Sequence, residues 1–143
     1  MEFVFTAVGE ALYEGECELR YRVLREPLGY GRGDVAFPFE DVSLHLVAVD
    51  DDAVVGCVLF RPDGEHGGRL FQMAVAPSRQ GQGVGRQLVL HLEAHLRARG
   101  VQRIELHARQ HAIPFYERLG YACFGEPYVE VGIPHRHMAR SLG

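Results

Sequence analysis

Seven residues, Gln80-Gly81-Gln82-Gly83-Val84-Gly85-Arg86, constrain this chain more than any other stretch. They follow an apolar, strand-like run from Leu70 to Ala76 and open an amphipathic helix. Glycine lets the backbone turn tightly and leaves its N–H groups uncovered by side chains. The helix N-terminus behind the loop adds partial positive charge and unpaired donors. A strand, a glycine loop and a helix in this order make a receptor for a phosphate or pyrophosphate, within an α/β chain.

The remaining elements follow from periodicity. Phe3 to Val8 reads as a strand, and Ala11 to Arg25 as a helix stopped before Pro27. Leu28 to Glu40 reads as a loop with room for a short second helix. Ser43–Val49 and Ala53–Phe60 form a hairpin about Asp50-Asp51-Asp52, and Gly67-Gly68 turns into the strand Leu70–Ala76. Val84, Leu88, Leu92 and Leu96 recur every fourth residue, with Val89 beside them, and predict one apolar helical stripe ended by Gly100. Glu93 and Arg97 are spaced as an i, i+4 ion pair on that helix. Val101 to His107 alternates as a strand, and Ala112 to Leu119 reads as a short helix with Pro114 in its first turn. Tyr121–Phe124 and His137–Ser141 are expected as closing strands around a loop from Gly125 to Pro134. The order β-α-β-β-β-α-β-α-β, plus a last strand, predicts a mixed sheet in a single domain over residues 1–143.

Composition narrows the function. The net charge of −4 does not suit a general nucleic-acid binder. Cys17, Cys57 and Cys123 are scattered, with neither disulfide nor zinc spacing, so a reducing cytoplasmic setting is expected. His135-x-His137 lacks a third ligand at familiar spacing, and no metal is expected. The N-terminus lacks a signal-peptide pattern, and no segment approaches the roughly 20 apolar residues that would span a membrane.

A nucleotide P-loop requires lysine followed by Ser or Thr, and the chain contains no lysine. A dinucleotide fingerprint needs Gly-x-Gly-x-x-Gly beside a first parallel strand, whereas Gly81, Gly83 and Gly85 are spaced two apart after a later strand. Gln80-x-x-Gly83-x-Gly85 instead resembles the acyl-CoA signature (Gln/Arg)-x-x-Gly-x-(Gly/Ala) of the GNAT superfamily of N-acetyltransferases. Met73 to Pro77 precedes it as that family's fourth strand does. Ala112-Ile113-Pro114-Phe115-Tyr116-Glu117-Arg118-Leu119-Gly120-Tyr121 is similar to its second signature, "A..FYe.lGF". Glu130 to Met138 resembles the "E.GIPH..M" ending of a bacterial subfamily.

The resemblance implies a three-layer α/β fold with a mostly antiparallel mixed sheet of six to seven strands flanked by helices. It implies acetyl transfer from acetyl-CoA, without a metal, to a small-molecule or peptide amine, by direct attack in a ternary complex. An acyl-CoA-binding module without catalysis is the alternative on the same fold, and a homodimer is in keeping with the family. The N–H groups of Gln80, Gly81, Gln82, Gly83, Val84, Gly85 and Arg86 are placed on the CoA pyrophosphate. Met73, Ala74 and Val75 are placed along the pantetheine arm, with the Met73 N–H on the thioester carbonyl. His107 and Phe115 are placed beside the cofactor, and Tyr116 is the proton donor to the leaving thiolate. For the base the resemblance leaves a gap, because Arg69-Leu70-Phe71-Gln72 has no carboxylate; Glu130, His135 and His107 are the candidates. Arg20, Tyr21, Arg22 and Arg25 fall in the acceptor-side segment, where arginines suit an acidic group. Glu40-Asp41 would instead suit a cationic one.

Overall fold

The apolar stripe of Val84 to Leu96 and the alternating runs around it fold as their periods require. A computed structural model describes residues 1–143. In chain order the elements are β1 (Glu2–Thr6), α1 (Ala11–Arg20), β2 (Leu44–Asp50), β3 (Ala53–Asp63), β4 (Gly67–Val75), α2 (Val84–Ala98), β5 (Arg103–Arg109), α3 (Ile113–Arg118), β6 (Ala122–Glu130) and β7 (Ile133–Ser141). One seven-stranded sheet has the order β1-β2-β3-β4-β5-β7-β6. All neighbours are antiparallel except β4 and β5, which α2 connects as a crossover. This is the mixed, mostly antiparallel α/β sheet that the sequence predicts.

Helices cover both faces. On one, Val84, Leu88, Val89, Leu92 and Leu96 are buried against Leu70, Ile104, Leu106 and Met138, each fully buried large side chain contributing roughly 1.5–3 kcal/mol. Gly56 on β3 allows the close approach of α2, since a Cβ there would lie 2.9 Å from Val84 Cγ1. On the other face, Leu19 of α1 packs on Val47, Cys57, Leu59 and Phe71. Alternation along the strands therefore assigns Leu106 and Ala108 to the α2 side, and Arg69, Phe71, His107 and Arg109 to the α1 side. No helix is long and apolar enough to cross a membrane.

Three expectations change. Gly67 and Gly68, expected as a turn, instead open β4 and pair with Asp63 and Pro62 of β3. The segment Gly125–Pro134 is a β-hairpin rather than a loop: β6 runs to Glu130 and β7 begins at Ile133. The turn residues Val131 (φ +48°) and Gly132 (φ +74°) are both left-handed, as a two-residue hairpin requires. Pro127 suggests a break, but β6 is an edge strand, and its register shifts between Phe124 and Tyr128, where a proline costs little. Glu93, fully buried, does not pair with Arg97. It accepts from Arg140 Nη1 at 2.9 Å and from the Tyr121 hydroxyl at 2.9 Å, tying α2 to β7.

Candidate active site

Six consecutive backbone donors stand open at the start of α2. Hydrogen bonding stops at the Gln80 N–H, which reaches the Pro77 carbonyl, and resumes at the Gln87 N–H, which reaches the Gly83 carbonyl at 3.0 Å. The N–H groups of Gly81, Gln82, Gly83, Val84, Gly85 and Arg86 have no protein partner. Gly81 (φ +78°) and Gly83 (φ +84°) are left-handed, which requires glycine here although a Cβ at either would meet nothing within 4 Å. Gly85 is different: its φ is ordinary, and it brings α2 against the Phe115 ring of α3, 3.4 Å from an added Cβ. The Gln80 side chain anchors the loop by donating to the Val75 carbonyl at 3.1 Å.

The sheet splits beside this loop. Pairing of β4 with β5 ends at Leu70 opposite Leu106. Just beyond, Gln72 takes a left-handed φ of +54°, and the β3–β4 register shifts between Cys57 and Leu59. That bulge bends β4 away from β5. The Ala76 N–H still donates to Val55 of β3 at 2.8 Å. By alternation Ala74 also faces β3, while Met73 and Val75 turn their backbone groups to the open side. The result is a groove of about 940 Å³ running from Gln80 past Met73 and Tyr116 to the segment Val23–Phe39. Val23, Leu24 and Arg25 reach it from a π-helical turn (Tyr21–Arg25) that continues α1.

Tyr116 lines this groove, and its hydroxyl has no hydrogen-bonding partner in the protein; burial pushes the phenol well above the usual tyrosine range, so it stays protonated. On the opposite side of the split, His107, Glu130 and His135 converge from β5, β6 and β7. His107 Nδ1 donates to Glu130 Oε1 at 3.1 Å, and His135 Nε2 lies 3.6 Å from Glu130 Oε2. Burial, reinforced by Arg69, lowers the His107 pKa below its ordinary 6.5 despite the carboxylate. The neutral imidazole, with its proton on Nδ1 toward Glu130, keeps a lone pair on Nε2. The His135 Nδ1 is held by the Ile133 carbonyl at 2.7 Å.

Other expected residues have different places. Arg20 is fully buried, bound by Glu16 (2.9 Å), Glu40 and the Val35 carbonyl (2.8 Å), and Glu16 also holds His45 at 2.9 Å. Glu40 further accepts from the Tyr13 hydroxyl and the Phe37 N–H, so it is not available to a cationic acceptor. Arg22 is exposed and pairs with Glu18, and Tyr21 lies under Arg32. Of the acceptor-side group only Arg25 lines the groove. Burial pushes the Cys57 thiol far above its usual range and Cys17 upward, which disfavours either as a nucleophile. Arg69, Gln72 and Arg109 are among the groove residues that no sequence motif marks. Extending the alternation Arg103, Glu105, His107 by one step would have found Arg109; the bulge at Gln72 carries no sequence signal.

An open donor loop, a split sheet with a free strand edge, and a tyrosine with an unpartnered hydroxyl thus meet in one groove. The model of the acetyltransferase (GNAT) family matches residues 10–121. A Bacillus subtilis protein provisionally named as an acetyltransferase is 32% identical over 126 residues, 86% of this chain and 85% of that one. The crystal structure of a provisionally named N-acetyltransferase from Lactobacillus plantarum superposes with a TM-score of 0.87 at 28% identity, covering 99% of this chain and 97% of that one. An aminoglycoside 6'-N-acetyltransferase crystallised with coenzyme A shares the fold, with a TM-score of 0.82, 23% identity and the same coverages. The chain belongs to the acetyltransferase (GNAT) family, and its chemistry is acyl transfer.

Proposed function

We propose that the protein transfers an acetyl group from acetyl-CoA to a primary amine by direct attack in a ternary complex. The carrying observation is the run of six unpartnered N–H groups, Gly81 to Arg86, at the mouth of a groove that also holds the open edge of β4. These donors suit a pyrophosphate, and the backbone of Met73, Ala74 and Val75 suits an extended pantetheine arm added as a strand. Phe115, packed against Gly85, and His107 border the same path. When bound, acetyl-CoA supplies the activated acetyl thioester.

The chain's own groups account for the rest. The Met73 N–H donates toward the thioester carbonyl, where negative charge develops as the amine attacks. His107 takes the amine proton on Nε2, with Glu130 fixing the tautomer and His135 Nε2 lying 3.6 Å from the other carboxylate oxygen. Tyr116 gives its proton to the departing sulfur. Burial raises the Cys17 and Cys57 thiols, and none of the three cysteines lines the groove, so nothing supports an acyl-cysteine step. The same reading takes residues 1–143 as one domain in a reducing, cytoplasmic setting, acting on a small-molecule or peptide amine rather than on nucleic acid or membrane.

Thiol release from acetyl-CoA, measured across a panel of amines, tests the reading. Release that depends on an amine supports it. Tight acetyl-CoA binding with no amine-dependent release contradicts it and leaves a binding module.

A further inference from the structure

The α1 side of the groove is lined by three arginines, Arg25, Arg69 and Arg109, and none has a carboxylate within ion-pairing distance. The Arg25 guanidinium is held over the Phe37 ring (5.7 Å) by the Asp34 carbonyl at 3.1 Å and by Gln72 Oε1 at 3.4 Å. Burial lowers its pKa, and the nearby charges of Arg20 and Arg109 lower it further, against a smaller opposing pull from Tyr30 and Asp34. Arg69 keeps a buried Nε without a partner, and the Tyr128 hydroxyl on β6 is likewise buried and unpartnered.

Only two carboxylates line the groove, and both are engaged. Asp34 accepts from the Gly31 N–H at 2.8 Å, and Glu130 accepts from His107 Nδ1 at 3.1 Å. Half-buried like charges without counter-ions are costly to hold unless an anion joins them. The anion is not the cofactor's pyrophosphate, whose donor loop opens α2 on the opposite face of the sheet, whereas Arg25 and Arg109 lie on the α1 face. The groove that holds these arginines and His107 is also lined by Leu24, Phe37 and Phe71.

We propose that the acyl acceptor is an amine that also carries a carboxylate, as an apolar amino acid does, with the carboxylate held by Arg25 and Arg109 and the amine facing His107. The proposal rests on the acetyl-transfer reading and specifies its substrate class. A polycationic acceptor, such as the aminoglycoside of the structural neighbour, would meet uncompensated arginines here and find no free carboxylate. The planar forks of Arg25 and Arg109 match a carboxylate in two-pronged hydrogen bonding, which an amine alone cannot use.

The test pairs each acceptor with its decarboxylated partner. Thiol release from acetyl-CoA is measured with L-phenylalanine and phenethylamine, with L-leucine and isopentylamine, and with kanamycin and spermidine. The expected result is a kcat/KM at least tenfold higher for the amino acid of each pair, and none measurable for the two polycations. In Arg25→Gln and, separately, Arg109→Gln, KM for the amino acid rises about tenfold or more, the loss of a charge-assisted hydrogen bond, and the preference over the decarboxylated partner collapses. Arg25→Lys, which keeps the charge without the fork, falls between. Amine-dependent release that favours kanamycin, spermidine or the decarboxylated amines overturns this proposal and leaves acetyl transfer standing. Acetyl-CoA binding without release from any acceptor overturns acetyl transfer, and this proposal with it.

Discussion

Tyr116 and His107 meet the same groove from opposite faces of the sheet, one kept protonated by burial and the other kept neutral by burial and by Arg69. Each is thereby suited to one direction of proton transfer. Tyr116→Phe is expected to lower kcat about a hundredfold, within the usual range for a lost general acid, while acetyl-CoA affinity measured by calorimetry is retained. An unchanged rate across pH would remove the tyrosine from the mechanism. With His107 as the proposed base, acting in its neutral form, kcat/KM should rise with pH along an acidic limb set below the ordinary histidine range. Glu130 raises the His107 pKa, so Glu130→Gln should move that limb to still lower pH while reducing the plateau. A limb that stays in place would show that the titrating group lies elsewhere. At this scale the sequence was legible where a motif fixed the spacing, as in Phe115-Tyr116. It was silent where residues distant in sequence meet: only β5–β7–β6 pairing brings Glu130 to His107 and His135.

Among the elements, the loop into α2 and the bulge in β4 do most to build the site. Because Gly81 and Gly83 need a left-handed backbone rather than space, the size of a substituent should matter less than its tolerance of positive φ. Gly83→Val is expected to raise the KM for acetyl-CoA tenfold or more, and Gly83→Asn distinctly less, since asparagine visits that region more readily. Equal losses in steady-state kinetics would point to steric closure of the loop instead. The helix α2 was fully legible, because a stripe repeated every fourth residue allows no other element. The terminal hairpin was not. Pro127 and Pro134 read locally as breaks, and only the edge position of β6 and its bulge make room for Pro127. Element order survived that misreading, and so the sheet class did too.

At the scale of the whole molecule, the acceptor side is carried by one buried ionic cluster. Arg20 joins α1 to the segment around Val35 and Glu40, and Glu16 extends the cluster to His45 on β2. Arg20→Ala should cost about 3–5 kcal/mol of stability by denaturant unfolding, because it leaves Glu40 buried without a counter-ion and Glu16 with His45 alone. Arg22→Ala, which breaks an exposed pair with Glu18, should leave the unfolding midpoint almost unmoved. His45 is buried, which would lower its pKa, but the Glu16 carboxylate outweighs this and holds it above its ordinary value. Its stabilising contribution is therefore complete below the unfolded pKa near 6.5 and is lost as pH rises through the higher folded value. The loss of Tm on that alkaline side should be smaller in His45→Gln than in the wild type; equal losses would place the effect elsewhere. None of this cluster could be read as such in the sequence, where Arg20 and Glu40 resemble surface charges available to a substrate.

Direct transfer requires both ligands to be held together in one groove. Initial velocities of thiol release, with acetyl-CoA and amine varied together and the acetylated amine counted by mass spectrometry, test this. Intersecting double-reciprocal lines, one acetylated amine per thiol released and no acetyl adduct on the protein are expected. Parallel lines with an acetylated protein intermediate would rule direct transfer out.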